Sequence, residues 1–320
     1  MAKKHKTVEY GRYGYIFIAP FFLAYLIFQL WPLIYTFILS FQNVYEDQYG
    51  NLVDEGYSLT NFVTVLGFDG GNSYVMQYFG NTAIMWICNF IPQILLSLLL
   101  AVWLTDTKYK LKGSGAYKIL VYLPNIITAA SVAYLFYSLF ADKGPITILL
   151  RDLGIISTTY SFMGSVTASR GIISFINFWM WYGNTTLLLI AGVLGINPSL
   201  FEAADIDGAN GFQKFLHVTL PMLKPIMLYV LVTSAIGGLQ MYDIPAMFNV
   251  NAISSEGLPN DTTTTMTMYI RRLTNSGSMG RAAAVSIILF IVTLIISLLF
   301  FYFMGDREKK PKKAKKGVSA

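Results

Sequence analysis

The sequence predicts an all-α membrane protein with six transmembrane helices and both termini in the cytoplasm, and three observations carry that expectation. Of the 320 residues, 55% are hydrophobic and 12% charged, where soluble domains hold roughly 25% charged residues. Six apolar runs, 15–41, 81–104, 119–140, 171–195, 226–242 and 282–304, contain no Asp, Glu, Lys or Arg and approach the roughly 20 residues that a helix needs to cross a bilayer. The fifth is the shortest, and residues through Ala246 extend it. The 23 Lys and Arg residues are unevenly placed: 17 lie before the first run, between the second and third, between the fourth and fifth, and after the sixth. Only Lys143, Arg151, Arg170, Arg271, Arg272 and Arg281 lie in the other segments, and 42–80 has five acidic residues and no basic one. Because basic segments stay on the cytoplasmic side, both termini and the loop 198–225 are expected there.

Taken in order, residues 1–14 form a short basic lead and 15–304 the transmembrane domain. The first run is too long for a signal-peptide core and lacks a small-residue cleavage site, so it is expected to remain as a helix, with Pro20 and Pro32 as points of kinking. The outer segment 42–75 is rich in Gly, Asn, Asp and Tyr and too short for a separate domain. Cys88, the one cysteine, lies in the second run and reads as packing; one Cys and two His supply no disulfide framework and no convincing metal set. The fourth run carries Asn177, Trp179, Trp181, Tyr182, Asn184, Thr185 and Thr186 in its outer half. Polar groups at that depth are costly unless they face protein or water, so one face of this helix is expected to line a cavity, although Trp179 and Trp181 also suit an interfacial aromatic belt. In the fifth run Gly237 and Gly238 allow close helix contact or local unwinding. The basic tail 305–320 reads as a solvated topology anchor. Its charge also suits anionic lipid, and no nucleic-acid partner is expected.

The loop 198–225 is the most informative stretch. Ser199 and Glu202 have capping-box spacing, so a short helix is expected to begin near Ser199 and to end near Gly208. Ala203, Ala204, Gly208 and Ala209 carry almost no side chain and allow a second protein to approach closely. From Phe212 onward, Phe212, Phe215, Leu216 and Leu220 recur at helical spacing and predict one buried face up to Pro221. A membrane-surface helix pair that merely joins two spans has the same amphipathic character.

The pattern Glu202-Ala203-Ala204, Asp207-Gly208-Ala209 and Leu220-Pro221 resembles the cytoplasmic loop of permease subunits in binding-protein-dependent ABC importers, particularly the carbohydrate, maltose-type branch. Asn81-Thr82, Leu123-Pro124, Gly257-Leu258-Pro259 and the threonine run before Tyr269 extend the resemblance across most of 15–304. Thr147 stands where that family often has Asn, and Leu258 replaces the second Gly of a Gly-Gly-Pro. The resemblance implies a type I importer permease, multi-pass in a bacterial or archaeal plasma membrane. It also implies partners: a second homologous permease, two ATPase subunits and an extracytoplasmic solute-binding protein. ATP and Mg would reside on the ATPases, with no cofactor on this chain. Glu202, Ala203, Ala204, Asp207, Gly208, Ala209, Leu220 and Pro221 would form the coupling contact, Glu202 supplying its charge.

The chain has no GxxxxGK[ST] phosphate loop and no convincing catalytic constellation, so a translocation subunit rather than an enzyme is expected. A sugar presents hydroxyls and apolar C–H faces, which call for aromatic surfaces beside uncharged hydrogen-bonding groups. Tyr182, Asn184, Thr185, Ser234, Gly238, Gln240 and Met241 supply such groups, and their positions approximate those at which the maltose-type permease holds its ligand. For any one of them, helix packing is an equal alternative. An importer permease for another solute and a transporter independent of ATP both stay open.

Overall fold

Proline and glycine set the course of the helices. The computed structural model describes residues 11–46, 49, 52–106, 113–249, 257 and 259–305. The lead before Gly11, Lys108, Lys110, Lys112, Leu258 and the tail after Gly305 lie outside the described residues.

The chain divides into two units. The first holds the described part of 1–77 together with 269–290. Its helix α1 (Gly11–Tyr25) passes into a π-helical turn, Leu26–Leu30, and then into α2 (Trp31–Phe41). Pro32 has no N–H to return to the preceding turn, and the widened turn, closed by Trp31 N–H on the Leu26 carbonyl, absorbs that irregularity without ending the helix. The segment after α2 forms an antiparallel hairpin of β1 (Gln42–Glu46) and β2 (Leu52–Tyr57), followed by α3 (Thr60–Leu66). Asn61 Nδ2 ties this to α2 by donating to the Ser40 and Gln42 carbonyls at 3.1 and 2.7 Å.

The second unit comprises the described part of 78–268 together with 291–305. Most of α4 (Tyr74–Thr105) belongs to it, followed by α5 (Ser114–Ile126), α6 (Ala129–Phe140), α7 (Pro145–Asp152), α8 (Val166–Leu194) and α9 (Pro198–Ile206). Next come α10 (Gly211–Lys214), a π-helical turn at Phe215–Thr219, α11 (Leu220–Met222), α12 (Lys224–Leu239) and α13 (Asp243–Phe248). The remaining helices, α14 (Met266–Asn275) and α15 (Met279–Met304), are divided between the two units. Among the described residues, Tyr13–Phe41, Tyr74–Thr105, Lys224–Phe248 and Met279–Met304 are long and apolar enough to cross a membrane. Two bent pairs, Ser114–Ile126 with Ala129–Asp152 at 82° and Val166–Leu194 with Pro198–Ile206 at 72°, raise the count to six if each is one span.

The run 119–140 is thus two helices, broken at Ile127, with Thr128 capping α6. The fifth run unwinds after Leu239. Gly183 lets α8 settle against the Val121 carbonyl of α5, and Gly192 lets it settle against Leu223 and Ile226; a Cβ at either glycine would overlap those atoms. Leu98, Ala101, Leu104, Leu189, Ile190 and Leu223 form one apolar cluster of this unit, and Met85, Ile173, Ile176, Met241 and Phe248 belong to another. Thr147 is fully buried and donates to the Phe140 carbonyl at 3.1 Å, so the variant residue of α7 is satisfied internally. Cys88, read from the sequence as packing, is instead exposed, because α4 turns Met85 and Asn89 inward and leaves the intervening arc outside.

The threonine run is a strap. Asn81 Nδ2 donates to the Asp261 and Thr264 carbonyls, Thr82 Oγ1 accepts from Met266 N–H, and Arg170 donates to both the Thr262 carbonyl and Asn81 Oδ1. Thr265 Oγ1 donates to the Met241 carbonyl at the break after α12. Thr263, Thr264 and Thr265 are fully buried by these ties, which join α4, α8 and the end of α12. A Cβ at Gly257 would overlap this strap.

Candidate functional site

The tied helices α4, α8 and α12 line a half-open cavity of about 270 Å³. From α8 it receives Asn177, Trp181, Asn184, Thr185 and Leu188, whose intervals of 4, 3, 1 and 3 residues keep them on one helical face. From α12 come Tyr229, Val230, Thr233, Ser234, Gly237 and Gly238, and from α4 come Trp86, Asn89 and Gln93. Two hydrogen bonds pin the wall across helices. Gln93 Nε2 donates to Thr185 Oγ1 at 2.7 Å, and Trp86 Nε1 donates to Ser234 Oγ at 3.1 Å. Gly238 is the reason the second is made: a Cβ there would overlap the Trp86 indole, so only glycine lets that ring lie on α12. Gly237, one residue earlier, has open space around it.

Of the seven residues predicted for substrate, the structure brings Asn184, Thr185, Ser234 and Gly238 together on this wall. Tyr182 stacks at an angle on Phe178, with ring centroids 5.8 Å apart, and its carbonyl accepts from Ser97 and Thr186. Gln240 is exposed at the unwound end of α12. Met241 is buried in the apolar cluster with Ile173 and Phe248. These last three lie off the cavity wall. Trp179 packs against Phe136 in the core, while Trp181 reaches the wall. Sequence reasoning missed Trp86, Asn89 and Gln93 altogether. Their spacing of three and four residues inside an apolar run was the available signal.

At the C-terminal end of α8 the chain bends into α9. Asn197, not Ser199, is the N-cap: its side chain accepts from Ser199 N–H, with Pro198 in the first turn. Proline's fixed φ and missing N–H suit that first position, which moves the cap two residues back and removes the expected Ser199–Glu202 box. The reciprocal box occurs instead between Asn210 and Gln213, at 2.9 and 2.8 Å. The helix ends as predicted, with Gly208 at φ +74° and Ala209 N–H on the Ala204 carbonyl, a left-handed closure that glycine makes without strain.

Lys214 Nζ meets Asp205 Oδ1 at 2.7 Å, joining α9 to α10. Among the described residues the side chains of Glu202 and Asp207 carry no hydrogen bond or ion pair, and both residues are exposed. Ala203, Gly208 and Pro221 are exposed; Ala204, Ala209 and Leu220 are half-buried. The expected buried face from Phe212 does not form: Phe212 is 69% exposed and Leu216 39%, while Leu220 and Leu223 pack on the Leu98–Leu189 cluster. The π-helical turn between them, closed by Leu220 N–H on the Phe215 carbonyl, adds a residue and turns Phe212 off the face that Leu220 follows. Pro221 is carried within the helical segment instead of ending it. The loop therefore presents Ile206, Phe212, Leu216 and Met222 outward beside two carboxylates.

An uncharged, half-open cavity that carries carboxamides and hydroxyls between apolar helices, with a loop of exposed apolar side chains, defines a multi-pass membrane protein of the transport class. Residues 80–310 match the family model described as "Binding-protein-dependent transport system inner membrane component", and the chain belongs to that family. It is an inner-membrane permease subunit of an ABC importer, a translocating component and not a catalytic one. The arabinooligosaccharides transport system permease protein of Bacillus subtilis (strain 168) is 31% identical over 278 residues, covering 86% of this chain and 83% of that one. The lactose transport system permease protein of Rhizobium radiobacter is 29% identical over 286 residues, 86% and 88% of the two chains. In fold, the chain is similar to a bacterial ABC transporter involved in the import of the acidic polysaccharide alginate. The TM-score is 0.73 at 23% identity, covering 93% of this chain and 97% of that one.

Proposed function

We propose that this permease forms, with a second homologous permease, the pathway for a sugar or oligosaccharide handed over by an extracytoplasmic binding protein. Two ATPase subunits carrying ATP and Mg drive it, and α9 is the element seated on one of them. Both termini and the loop 198–225 face the cytoplasm in this reading, in accord with the distribution of basic residues. The bent pairs 114–152 and 166–206 belong to the third and fourth spans, completing six. Residues 15–304 act as the transmembrane domain, with 1–14 and 305–320 as basic cytoplasmic ends.

One observation carries the coupling role. The loop leaves Ile206 87% and Phe212 69% exposed, next to the Glu202 and Asp207 side chains, which have no partners among the described residues. Apolar side chains held out on structured backbone, rimmed by charge, suit a protein cleft. Closure of the ATPase dimer would pull on α9 and, through the 72° bend into α8, move the helix that supplies five residues of the cavity wall. The sugar reading is supported by that wall, which combines indole and phenol surfaces with carboxamides and hydroxyls, and by the sugars after which the two relatives are named.

The test is an Ile206→Cys chain, purified with its native partners after mild oxidation or bifunctional thiol crosslinking. A covalent adduct with a nucleotide-hydrolysing subunit is expected. If the chain purifies without such a subunit and moves solute into vesicles without ATP, the coupling role is wrong.

A further inference from the structure

The hydrogen bonds inside the cavity determine what kind of saccharide it takes. This step rests on the sugar reading above and narrows it. Asn89, Gln93 and Asn177 are each more than nine-tenths buried, and each side chain has only one protein partner. Asn89 Nδ2 donates to the Met85 carbonyl at 3.0 Å and Asn177 Nδ2 to the Ile173 carbonyl at 3.0 Å. A carbonyl oxygen can only accept, so one N–H of each amide is held there, and the amide oxygen and the second N–H are left free in both residues. Gln93 is oriented in the same way. Its Nε2 donates to Thr185 Oγ1, and the Thr185 hydroxyl sends its own hydrogen to the Trp181 carbonyl at 3.3 Å.

Three carboxamide oxygens therefore have no partner, and none of them is sealed from open space. The Thr233 hydroxyl likewise donates to the Tyr229 carbonyl, which leaves its lone pairs to the cavity. No Lys, Arg or His is among the lining residues.

A wall of uncharged acceptors and donors without a cation suits a ligand that both donates and accepts while carrying no charge. The hydroxyls of a neutral sugar do so and satisfy groups whose neglect would be costly. A carboxylate or phosphate only accepts. Placed here it would leave the free carboxamide oxygens unmet and lose its hydration with no counter-charge. We infer that this cavity selects neutral saccharides and excludes uronic and phosphorylated ones, so that it differs in charge preference from the alginate importer whose fold it shares.

The test uses the complex purified with its partner subunits in mild detergent. The fluorescence of the two wall indoles, Trp86 and Trp181, is titrated with matched pairs: galactose against galacturonate, and cellobiose against its uronate. The neutral member of at least one pair is expected to half-saturate the response at tenfold or more lower concentration than its acidic counterpart. Asn89→Lys, or Thr233→Lys at the cavity rim should the first variant not assemble, is expected to erase or invert that ratio. Equal or tighter binding of the uronates by the unaltered complex overturns the inference while leaving a sugar permease. Silence toward every saccharide overturns the sugar reading itself.

Discussion

The cavity along α8 and the loop beyond its C-terminal end are built on opposite plans. In the cavity, polar side chains are drawn inward: Asn89, Gln93, Asn177 and Thr185 are buried among apolar helices. In the loop, apolar side chains are turned outward: Ile206 and Phe212 stand on short polar helices. Each arrangement is costly for the chain alone, because unpaired polar groups inside and bare apolar groups outside both forgo favourable contacts. Each becomes favourable when a partner of the right chemistry arrives, a polyol in the cavity and a protein cleft at the loop. The helix α8, Val166–Leu194, supplies the wall through residues between Asn177 and Leu188 and bends into α9 after Leu194, so a displacement of the loop is delivered to the wall.

Separating the two experimentally is the way to break this comparison. The largest effect is expected for Glu202→Lys or Gly208→Trp. The first reverses an exposed charge at the contact; the second puts a large side chain on a surface where glycine leaves open space and a left-handed φ that costs other residues about 1–2 kcal/mol. Transport and stimulated ATP hydrolysis should fall to background while the complex stays assembled and its saccharide-induced fluorescence change survives. Loss of that fluorescence change would mean the cavity and the loop are not separable.

Gly238→Val comes next. The new side chain meets the Trp86 indole, an overpacking worth about 1–3 kcal/mol, and should abolish saccharide binding while basal ATP hydrolysis persists. Asn184→Ala removes a wall amide that has no partner among the described residues and should weaken half-saturation roughly tenfold, the cost of about one neutral hydrogen bond. Gln240→Ala should change uptake less than twofold, because Gln240 lies off the cavity; a larger effect would extend the site beyond α12.

What was legible in the sequence divides along the same line. Hydropathy located the apolar runs, and the residue types at 202–209 marked α9 and its glycine closure, because a left-handed turn leaves a glycine in the text. Faces were harder. The Phe212 stripe was misassigned because a π-helical turn at Phe215–Thr219 changes the angular register without changing the composition. The cap fell at Asn197 and not Ser199 because Pro198 dictates where the helix can begin. In the cavity, α8 announced itself by crowding seven polar and aromatic residues together. The α4 contribution, Trp86, Asn89 and Gln93, was hidden in a run judged by its average. Gln240 and Met241 sit next to Gly238 in sequence but follow the break in α12, which turns them away. The hairpin at 42–57 was unreadable because its turn-rich composition masked two strands.

The central claim is that saccharide in the cavity and ATP turnover beyond the loop are one coupled event. It is tested most directly by reconstituting the complex, with its binding protein, in vesicles and measuring ATP hydrolysis with and without a neutral saccharide, for the unaltered chain and for Glu202→Lys. The account requires saccharide-stimulated hydrolysis that disappears in the variant while saccharide binding to the cavity is retained. Hydrolysis stimulated equally in both, or transport that proceeds without ATP, would contradict it.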